Sequence, residues 1–532
     1  MEKPVIHEFE ARRLFLQRKL DAQKKAAERN RMGQFATPQR LSLDILRYAK
    51  EQLGEKGKLR FLDPAIGTGS FYSALLGVFP KQSIEAAVGY EIDPHYGSPA
   101  GGLWRETGLD IRLEDFTKAE APKKGGKFDL LICNPPYVRH HHIPSQEKRR
   151  LKLRTIDSCG VEIGGLAGLY CYFLCLSHAW LRDGGLAGWL IPSEFMDVNY
   201  GVAVKRYLLE KVRLLHIHRF DPNDVQFGDA LVSSTVVWFR KEPTNKGHKI
   251  RFTHGGSLLK PAMDRSLPVE ILRHDPKWTQ YPMRESHAAE DQAVLADFFE
   301  IKRGLATGNN SFFILPIDEI EQRKLPMEAF KPILPSPRYI PDDEIQADEN
   351  GNPFLERKLF LLNAPWTEKE IEERYPTLRR YLEEGKAEGV AKGYLCQHRK
   401  RWYAQENRPP APFVCTYLGR KSNKNGRHFR FILNNSQATA ANVYLMLYPK
   451  PAAERAMREK PGLNRQIWKL LNQIQPQTLL GEGRVYGGGL HKLEPRELGN
   501  VPAGSISDLL PSPKSPKKSK QLDMFSEFCP QR

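Results

Sequence analysis

Several features that would place this chain in or beyond a membrane are missing from its sequence. No apolar run is long enough to span a bilayer, and the charged N-terminus lacks the apolar core of a signal peptide. The seven cysteines are scattered without a Cys-x-x-Cys pair, and Cys396, His398 and Cys415 fit no standard zinc spacing. We therefore expect a cytoplasmic protein with neither membrane contact nor bound metal.

Negative charge is also in short supply. Against 81 lysines and arginines there are 63 aspartates and glutamates, which gives a net charge of +18 and a pI of about 9.4. Such a balance favours a polyanionic partner, with nucleic acid the first candidate and a membrane surface the weaker alternative. The 532 residues are enough for two to four domains with sizeable cores.

The stretch around which the chain is organised is Asn134-Pro135-Pro136-Tyr137. It follows residues 128–133, a short apolar run typical of a buried parallel strand. The two prolines end that strand because they lack N–H donors, and ligands of open α/β sheets bind at this end. The Asn134 amide oxygen, the Pro135 carbonyl and the Tyr137 ring suit a planar substrate with an exocyclic amino group. The alternative is an ordinary strand-ending turn, which an isolated motif of this kind leaves open.

Residues 59–71 predict a strand, a glycine turn and a helix. The glycines allow a ligand to approach the backbone, and the helix N-terminus offers free N–H groups. The turn lacks the third glycine of a dinucleotide site, which argues against a pyrophosphate ligand. Asp63 at the strand end places a carboxylate where a cationic or amino-bearing ligand fits. Further upstream, Thr37 is predicted to cap a helix that starts at Pro38.

Acidic residues also end the next two predicted strands. Glu91 ends the strand over residues 86–93, about 20 residues after the glycine turn, where nucleotide-binding folds place a ribose-binding acid. The alternative is a solvated acid at a strand end. Asp115 and Phe116, at the end of a short strand from Ile111, are suited to hydrogen-bond and cover an adenine. The His140–His142 stretch favours a basic, substrate-covering loop over a zinc site.

Strand and helix patterns alternate through residue 245, which predicts a doubly wound, mostly parallel sheet. Beyond residue 298 the chain is rich in loops, basic residues and aromatic residues, which suits phosphate and base contacts. The predicted domains are therefore 1–245 with an N-terminal arm of surface helices, a linker at 246–297, a nucleic-acid-binding domain at 298–503, and a disordered basic tail at 504–532.

Taken together, four segments resemble the γ-class DNA methyltransferases that modify adenine-N6, the group of TaqI methylase. The segments are 33–38, 63–71, 134–137 and 303–315, in the order that this class shows. The resemblance covers most of residues 30–500. It implies a class I methyltransferase fold, an α/β Rossmann-like doubly wound sheet, with a separate C-terminal α+β target-recognition domain. The long basic N-terminal arm and the extended C-terminal tail depart from the class.

The resemblance also implies roles for individual residues. S-adenosylmethionine would be bound by Phe35, Ala36, Thr37, Asp63, Ala65 and Gly67, with Glu91 at its ribose and Asp115 and Phe116 at its adenine. A target adenine flipped out of duplex DNA would stack on Tyr137 and pack against Phe227. Its amino group would donate hydrogen bonds to Asn134 and to the Pro135 carbonyl, and no metal would take part.

The function expected on this basis is site-specific methylation of double-stranded DNA, which protects the host DNA from a partner restriction endonuclease. The protein is expected to act as a monomer. An RNA-adenine methyltransferase and a catalytically inactive DNA-binding subunit are the alternatives. Methyltransferases that modify glutamine in proteins share the Asn-Pro-Pro-Tyr turn. They lack a large basic C-terminal region, so residues 298–500 argue against them.

Overall fold

The computed structural model describes residues 3–54, 57–221, 224, 226, 233–245, 247–282, 293–419, 427–486 and 490–511. These residues fall mostly into two compact units that divide between Pro282 and Ala293. Among the described helices, none is both long and apolar enough to cross a membrane.

The first unit alternates helices and strands. In chain order they are α1 Lys3–Gln23, α2 Ala26–Met32, α3 Gln39–Leu53, β1 Leu59–Asp63, α4 Ser70–Val78, β2 Ile84–Tyr90, α5 Pro94–Trp104, β3 Leu109–Arg112, β4 Phe128–Cys133, α6 Ser145–Cys159, α7 Leu169–Leu176, β5 Leu181–Pro192, α8 Gly201–Glu210, β6 Arg213–Arg219, β7 Ser234–Arg240, β8 Lys249–Gly256, β9 Pro261–Pro268 and α9 Val269–His274.

The nine strands form one sheet in the order β3-β2-β1-β4-β5-β7-β6-β8-β9. The neighbours from β3 to β5 are parallel, as are β6 and β8, whereas the pairs of β7 and the β8–β9 pair are antiparallel. The strand order reverses at β1, because β2 lies on one side of it and β4 on the other. Sheets of this type bind ligands at such a point. The predicted α/β, doubly wound and mostly parallel fold is confirmed.

Strand β4 shows why an unbroken apolar run was the correct signal. Leu131 and Cys133 belong to one hydrophobic cluster, while Leu130 and Ile132 belong to another, and all four are fully buried. Because successive side chains of a strand point to opposite faces, both faces of β4 are covered. The strand bounds match the prediction of 128–133. The two preceding strands end earlier than predicted, so Glu91 and Asp115 lie just after β2 and β3.

The predicted linker at 246–297 is wrong over much of its length. Residues 249–268 form β8 and β9, and β8 pairs with β6 inside the large sheet. Phe252 and Trp278 are fully buried in the same cluster as β4. The polar composition that suggested a linker comes from β9, an edge strand on which half-buried and exposed positions alternate.

The second unit is α+β, as the resemblance implied. Its elements are α10 Leu295–Phe298, β10 Phe299–Arg303, α11 Asn310–Phe313, β11 Ile314–Pro316, α12 Ile317–Gln322, β12 Phe330–Leu334, β13 Glu344–Ile345, β14 Leu359–Leu362, α13 Glu368–Arg374, α14 Pro376–Ala387, α15 Tyr394–Gln397, β15 Phe413–Thr416, β16 Leu418–Gly419, β17 Phe431–Asn434, β18 Thr439–Ala440, β19 Tyr444–Pro449, α16 Pro451–Glu459, α17 Leu463–Gln473, α18 Pro476–Glu482, β20 Arg484–Tyr486, β21 Leu490–Lys492, α19 Pro495–Gly499 and α20 Ile506–Leu509. The strands form sheets of five, four and three strands, in the orders β10-β19-β15-β17-β13, β11-β14-β12-β18 and β16-β21-β20.

Candidate active site

A cavity of about 440 Å³ opens at the carboxyl ends of β1, β2 and β4 in the first unit. Ten of the residues predicted for the site line it: Phe35, Ala36, Thr37, Asp63, Ala65, Gly67, Glu91, Asp115, Phe116 and Asn134. Pro136 lines it as well, whereas Pro135 and Tyr137 do not. Phe227 lies outside the described residues. The structure therefore brings together residues that are up to 99 positions apart in the chain.

Two sequence motifs meet at Asn134. Its amide nitrogen donates hydrogen bonds to the carbonyl of Phe35, at 2.9 Å, and to the hydroxyl of Thr37, at 3.1 Å. Thr37 does not cap α3, because the residue before that helix is Pro38 and no side-chain cap is present. The predicted cap is thus wrong, and the Thr37 hydroxyl instead orients Asn134.

The other half of the Asn134 amide is unused by the protein. Its Oδ1 is buried and has no hydrogen-bond partner among the described residues. The two bonds made by the nitrogen fix which end of the amide faces each way. A buried acceptor without a partner is costly, so the wall of the cavity holds an oxygen suited to receive an N–H group from a ligand.

The turn after Asn134 is held against the chain before α3. The Tyr137 N–H donates to the carbonyl of Gly33, at 3.2 Å. Gly33 has φ +65°, and a Cβ there would lie 2.2 Å from the Tyr137 nitrogen. This contact is one position where only glycine fits, because both its backbone conformation and its distance from the turn exclude a side chain.

The Tyr137 side chain is buried, so its ring is not an exposed stacking surface. The residue is 8% exposed, and its hydroxyl donates to the carbonyl of Leu190, at 3.1 Å. The ring of Phe35 lies 5.7 Å away at 45°. These contacts hold the ring in one orientation beside Asn134.

The glycine turn is tied to the acid after β2. The N–H of Gly67 donates to Glu91 Oε2 at 3.0 Å, and the N–H of Asp93 donates to Oε1 at 2.8 Å. Asp63 Oδ1 accepts a hydrogen bond from the N–H of Ala65, at 3.1 Å. Burial raises the pKa of Asp63 to about 8; the Ala65 hydrogen bond opposes the rise and the nearby Glu91 charge adds to it. Burial raises the pKa of Glu91 too, so a cationic ligand would favour the ionised form of both.

The residues after β3 are fixed by local contacts. Asp115 Oδ1 accepts hydrogen bonds from the N–H and the hydroxyl of Thr117, at 2.9 and 2.7 Å. Phe116 is buried, with its ring 5.5 Å from that of Tyr90 in an edge-to-face contact. The turn therefore presents one carboxylate and the edge of an aromatic cluster to the cavity.

The charged side chains that line the cavity are acidic, although the chain as a whole is basic. The described lining residues of the cavity include six carboxylates and neither lysine nor arginine; the acids are Asp21, Asp63, Glu91, Glu114, Asp115 and Glu147. Sequence reasoning missed Asp21, Glu114 and Glu147, because acids spread over three separate segments carry no local pattern. Within the described ranges, no group of three or more His, Cys, Asp or Glu side chains is arranged to hold a metal ion.

The fold and this cavity define a class I methyltransferase. Residues 102–226 match the family model of the Eco57I restriction-modification methylase, and residues 277–526 match that of the C-terminal domain of Type II methyltransferase M.Eco57I. The chain belongs to the DNA methyltransferases of restriction–modification systems.

Curated relatives agree along most of the chain. Type II methyltransferase M.XamI of Xanthomonas campestris pv. amaranthicola is 27% identical over 85% of this chain and 81% of its own length. Type II methyltransferase M.AccI of Acinetobacter calcoaceticus is 26% identical over 88% of this chain and 85% of its own. The fold resembles that of the Type IIL restriction-modification enzyme MmeI in complex with DNA, with a TM-score of 0.53 and 13% identity, over 83% of this chain and 66% of that one.

Proposed function

We propose that this chain transfers a methyl group from S-adenosylmethionine to the exocyclic N6 amine of an adenine flipped out of double-stranded DNA, and so protects that DNA from a partner restriction endonuclease. The observation that carries the proposal is the partnerless Oδ1 of Asn134 in the wall of the cavity. This atom can accept a hydrogen bond from an N–H group, which an amino substrate offers and a carbon substrate does not.

The charge of the cavity supports S-adenosylmethionine as the cofactor. Six acidic side chains and no lysine or arginine among the described lining residues suit a ligand that carries a sulfonium and an ammonium group better than one that carries phosphates. Asp21, Asp115 and Glu147 are paired with Arg29, Lys118 and Arg150. Asp63, with a pKa of about 8, would ionise when such a cationic ligand binds. When bound, the cofactor supplies a methyl group activated by the sulfonium. The residues that would hold it are the predicted ones: the 35–37 segment, Asp63, Ala65 and Gly67, with Glu91 at the ribose and Asp115 and Phe116 at the adenine.

The chemistry assigned to the chain is positioning. An exocyclic amine is a poor nucleophile because its lone pair is delocalised into the ring. Asn134 Oδ1 in the cavity wall, together with the Pro135 carbonyl that the resemblance implies, would accept hydrogen bonds from its two N–H groups and favour a tetrahedral nitrogen with more lone-pair density. Thr37 and the Phe35 carbonyl keep the Asn134 oxygen turned toward the substrate, so little reorganisation is required in the reaction.

Access to an adenine in a duplex requires that the base leave the stack, at a cost of a few kcal/mol. Stacking on Tyr137 would return about 1–3 kcal/mol of that cost. Because only 8% of Tyr137 is exposed, entry of the base has to displace side chains that cover the ring. Phe227 remains the proposed second aromatic contact.

The test is Asn134→Ala, compared with wild type for transfer of labelled methyl groups to duplex DNA, single strands, RNA and protein. We expect turnover on duplex DNA to fall about 100-fold or more, while affinity for S-adenosylmethionine changes little in calorimetry. The matched control is Asn199→Ala, which removes the same side chain at an exposed position.

Three outcomes would contradict the proposal. Equal loss of cofactor affinity and turnover in Asn134→Ala would place this residue at the cofactor instead of the amine. Methyl transfer by the wild-type chain to RNA or protein, but not to DNA, would contradict the proposal that duplex DNA is the substrate. No transfer by wild type to any acceptor would favour the catalytically inactive DNA-binding subunit.

A further inference from the structure

The N-terminal arm, which the sequence suggested only as surface helices, is fastened to the glycine turn. Arg13 of α1 is 1% exposed and pairs with Glu10, at 2.7 Å. Its second amino group donates to the hydroxyl of Thr68, at 3.2 Å, and that hydroxyl donates to Gln17, at 2.6 Å. A buried arginine is retained only where its charge is paired, so this contact fixes the position of α1 over the turn.

An aromatic contact holds the same helix. The ring of Phe9 stacks on that of Trp104, at 5.6 Å and 18°. The indole N–H of the fully buried Trp104 donates to the carbonyl of Thr68, at 2.9 Å. Two independent sets of contacts from α1 therefore converge on Thr68, next to Gly67 in the cavity lining.

The last turns of α1 enter the cavity itself. Gln17 and Asp21 are both lining residues, and the Asp21 side chain is 26% exposed. Asp21 Oδ1 accepts hydrogen bonds from the hydroxyl of Tyr96, at 2.9 Å, and from Gln17, at 3.0 Å, and lies 3.4 Å from Arg29. The hydrogen bonds that Asp21 accepts from Gln17 and Tyr96 both end on Oδ1, so Oδ2 is the oxygen that remains for a ligand.

We propose that Asp21 is a cofactor-binding residue, whose carboxylate accepts a hydrogen bond from the ammonium or a ribose hydroxyl of S-adenosylmethionine. The arm thereby contributes a residue to the cofactor site. This inference rests on the cofactor assigned under the proposed function. It adds a residue from outside every motif that the sequence offered.

The test compares Asp21→Asn with Glu8→Gln, which removes one charge from the exposed side of the same helix. Asparagine keeps an oxygen for Tyr96 and Gln17, and thermal melting checks that the variant is folded. By calorimetry we expect Asp21→Asn to bind S-adenosylmethionine about 10- to 100-fold more weakly, and Glu8→Gln to bind as wild type does. 5′-Methylthioadenosine, which has the ribose without the ammonium, separates the two groups: an equal loss assigns Asp21 to the ribose, and no loss assigns it to the ammonium.

A second pair of variants tests the arm without altering Asp21. Phe9→Ala removes the stack on Trp104, whereas Phe15→Ala removes the same ring from a position that is 70% exposed. We expect weaker cofactor binding in Phe9→Ala only. If the wild-type chain binds S-adenosylmethionine and both Asp21→Asn and Phe9→Ala bind it with the same affinity, this inference is wrong but the proposed function stands. A wild-type chain that binds no S-adenosylmethionine would overturn the proposed function as well.

Discussion

At the scale of single residues, Asn134 joins two motifs that are separate in the sequence. Its nitrogen is used by Phe35 and Thr37, and its oxygen is left for a ligand. The motif at 33–38 therefore orients the residue proposed to hold the substrate amine, in addition to lining the cavity. The prediction that both motifs serve one site rested on their resemblance to a family. The physical link between them is a pair of hydrogen bonds that sequence spacing does not reveal.

Gly33 allows a direct test of that arrangement. Gly33 and Gly160 both end a helix in the left-handed region, with φ +65° and ψ 29° for Gly33 and φ +71° and ψ 20° for Gly160. A Cβ at Gly33 would overlap Tyr137, whereas one at Gly160 would meet only the end of the Lys211 side chain, at 3.5 Å. Each alanine substitution should cost about 1–2 kcal/mol for the left-handed conformation, and Gly33→Ala a further ~1–3 kcal/mol for the overlap. Urea unfolding measures both. Methyl transfer should fall in Gly33→Ala alone, and equal destabilisation of the two variants would contradict the close approach.

Asp63 makes the stability of the ligand-free protein depend on pH. Its pKa is raised to about 8 in the folded chain, mainly by burial, from an ordinary value of 3.8. Between these values the folded state holds a proton that the unfolded state has released, so its contribution to the free energy of unfolding is lost as pH rises toward and through 8. Asp63→Asn should flatten this slope in urea unfolding from pH 5 to 9. An unchanged slope would show that Asp63 is already ionised.

The same group should respond to the cofactor. A cationic ligand stabilises the carboxylate, so binding of S-adenosylmethionine near pH 7 should release a proton. Calorimetry in two buffers of different ionisation enthalpy would detect it, with Asp63→Asn as the control.

At the scale of elements, the β8–β9 hairpin shows that the first domain extends beyond the predicted boundary at residue 245. A chain ending at residue 245 would lose the strand that pairs with β6. It would also lose the fully buried Ile250, Phe252, Leu272 and Trp278. Loss of one such side chain costs about 2–5 kcal/mol, and whole domains are stable by only about 5–15 kcal/mol. We expect residues 1–245 to aggregate and residues 1–282 to melt cooperatively, as circular dichroism would show. Cooperative melting of the shorter chain would make the hairpin dispensable.

At the scale of the whole molecule, the two units are expected to divide cofactor and target recognition. The cavity is lined entirely by described residues of the first unit, so residues 1–282 should bind S-adenosylmethionine with the affinity of the full chain. They should lose discrimination between the target duplex and a random duplex in filter binding, because the basic and aromatic region lies beyond residue 298. Undiminished discrimination by the shorter chain would refute this division.

The sequence by itself determined the local patterns and their order. The apolar run of β4, the glycine turn after β1 and the strand–helix alternation depend on neighbouring residues, and these were read correctly. The separate α+β unit and the family followed from motifs placed in order along the chain. Such signals are local because backbone conformation and turn chemistry are set by residues close in sequence.

Only the tertiary structure decided which of these groups meet. Thr37 has the sequence of a helix cap, yet its hydroxyl bonds to Asn134, 97 residues away. Asp21 reaches Tyr96 across 75 residues, Tyr137 is enclosed against Leu190, and six carboxylates from separate segments surround one cavity in a basic chain. These outcomes depend on how helices and strands pack over long sequence distances, where side-chain burial and hydrogen bonding outweigh local preference.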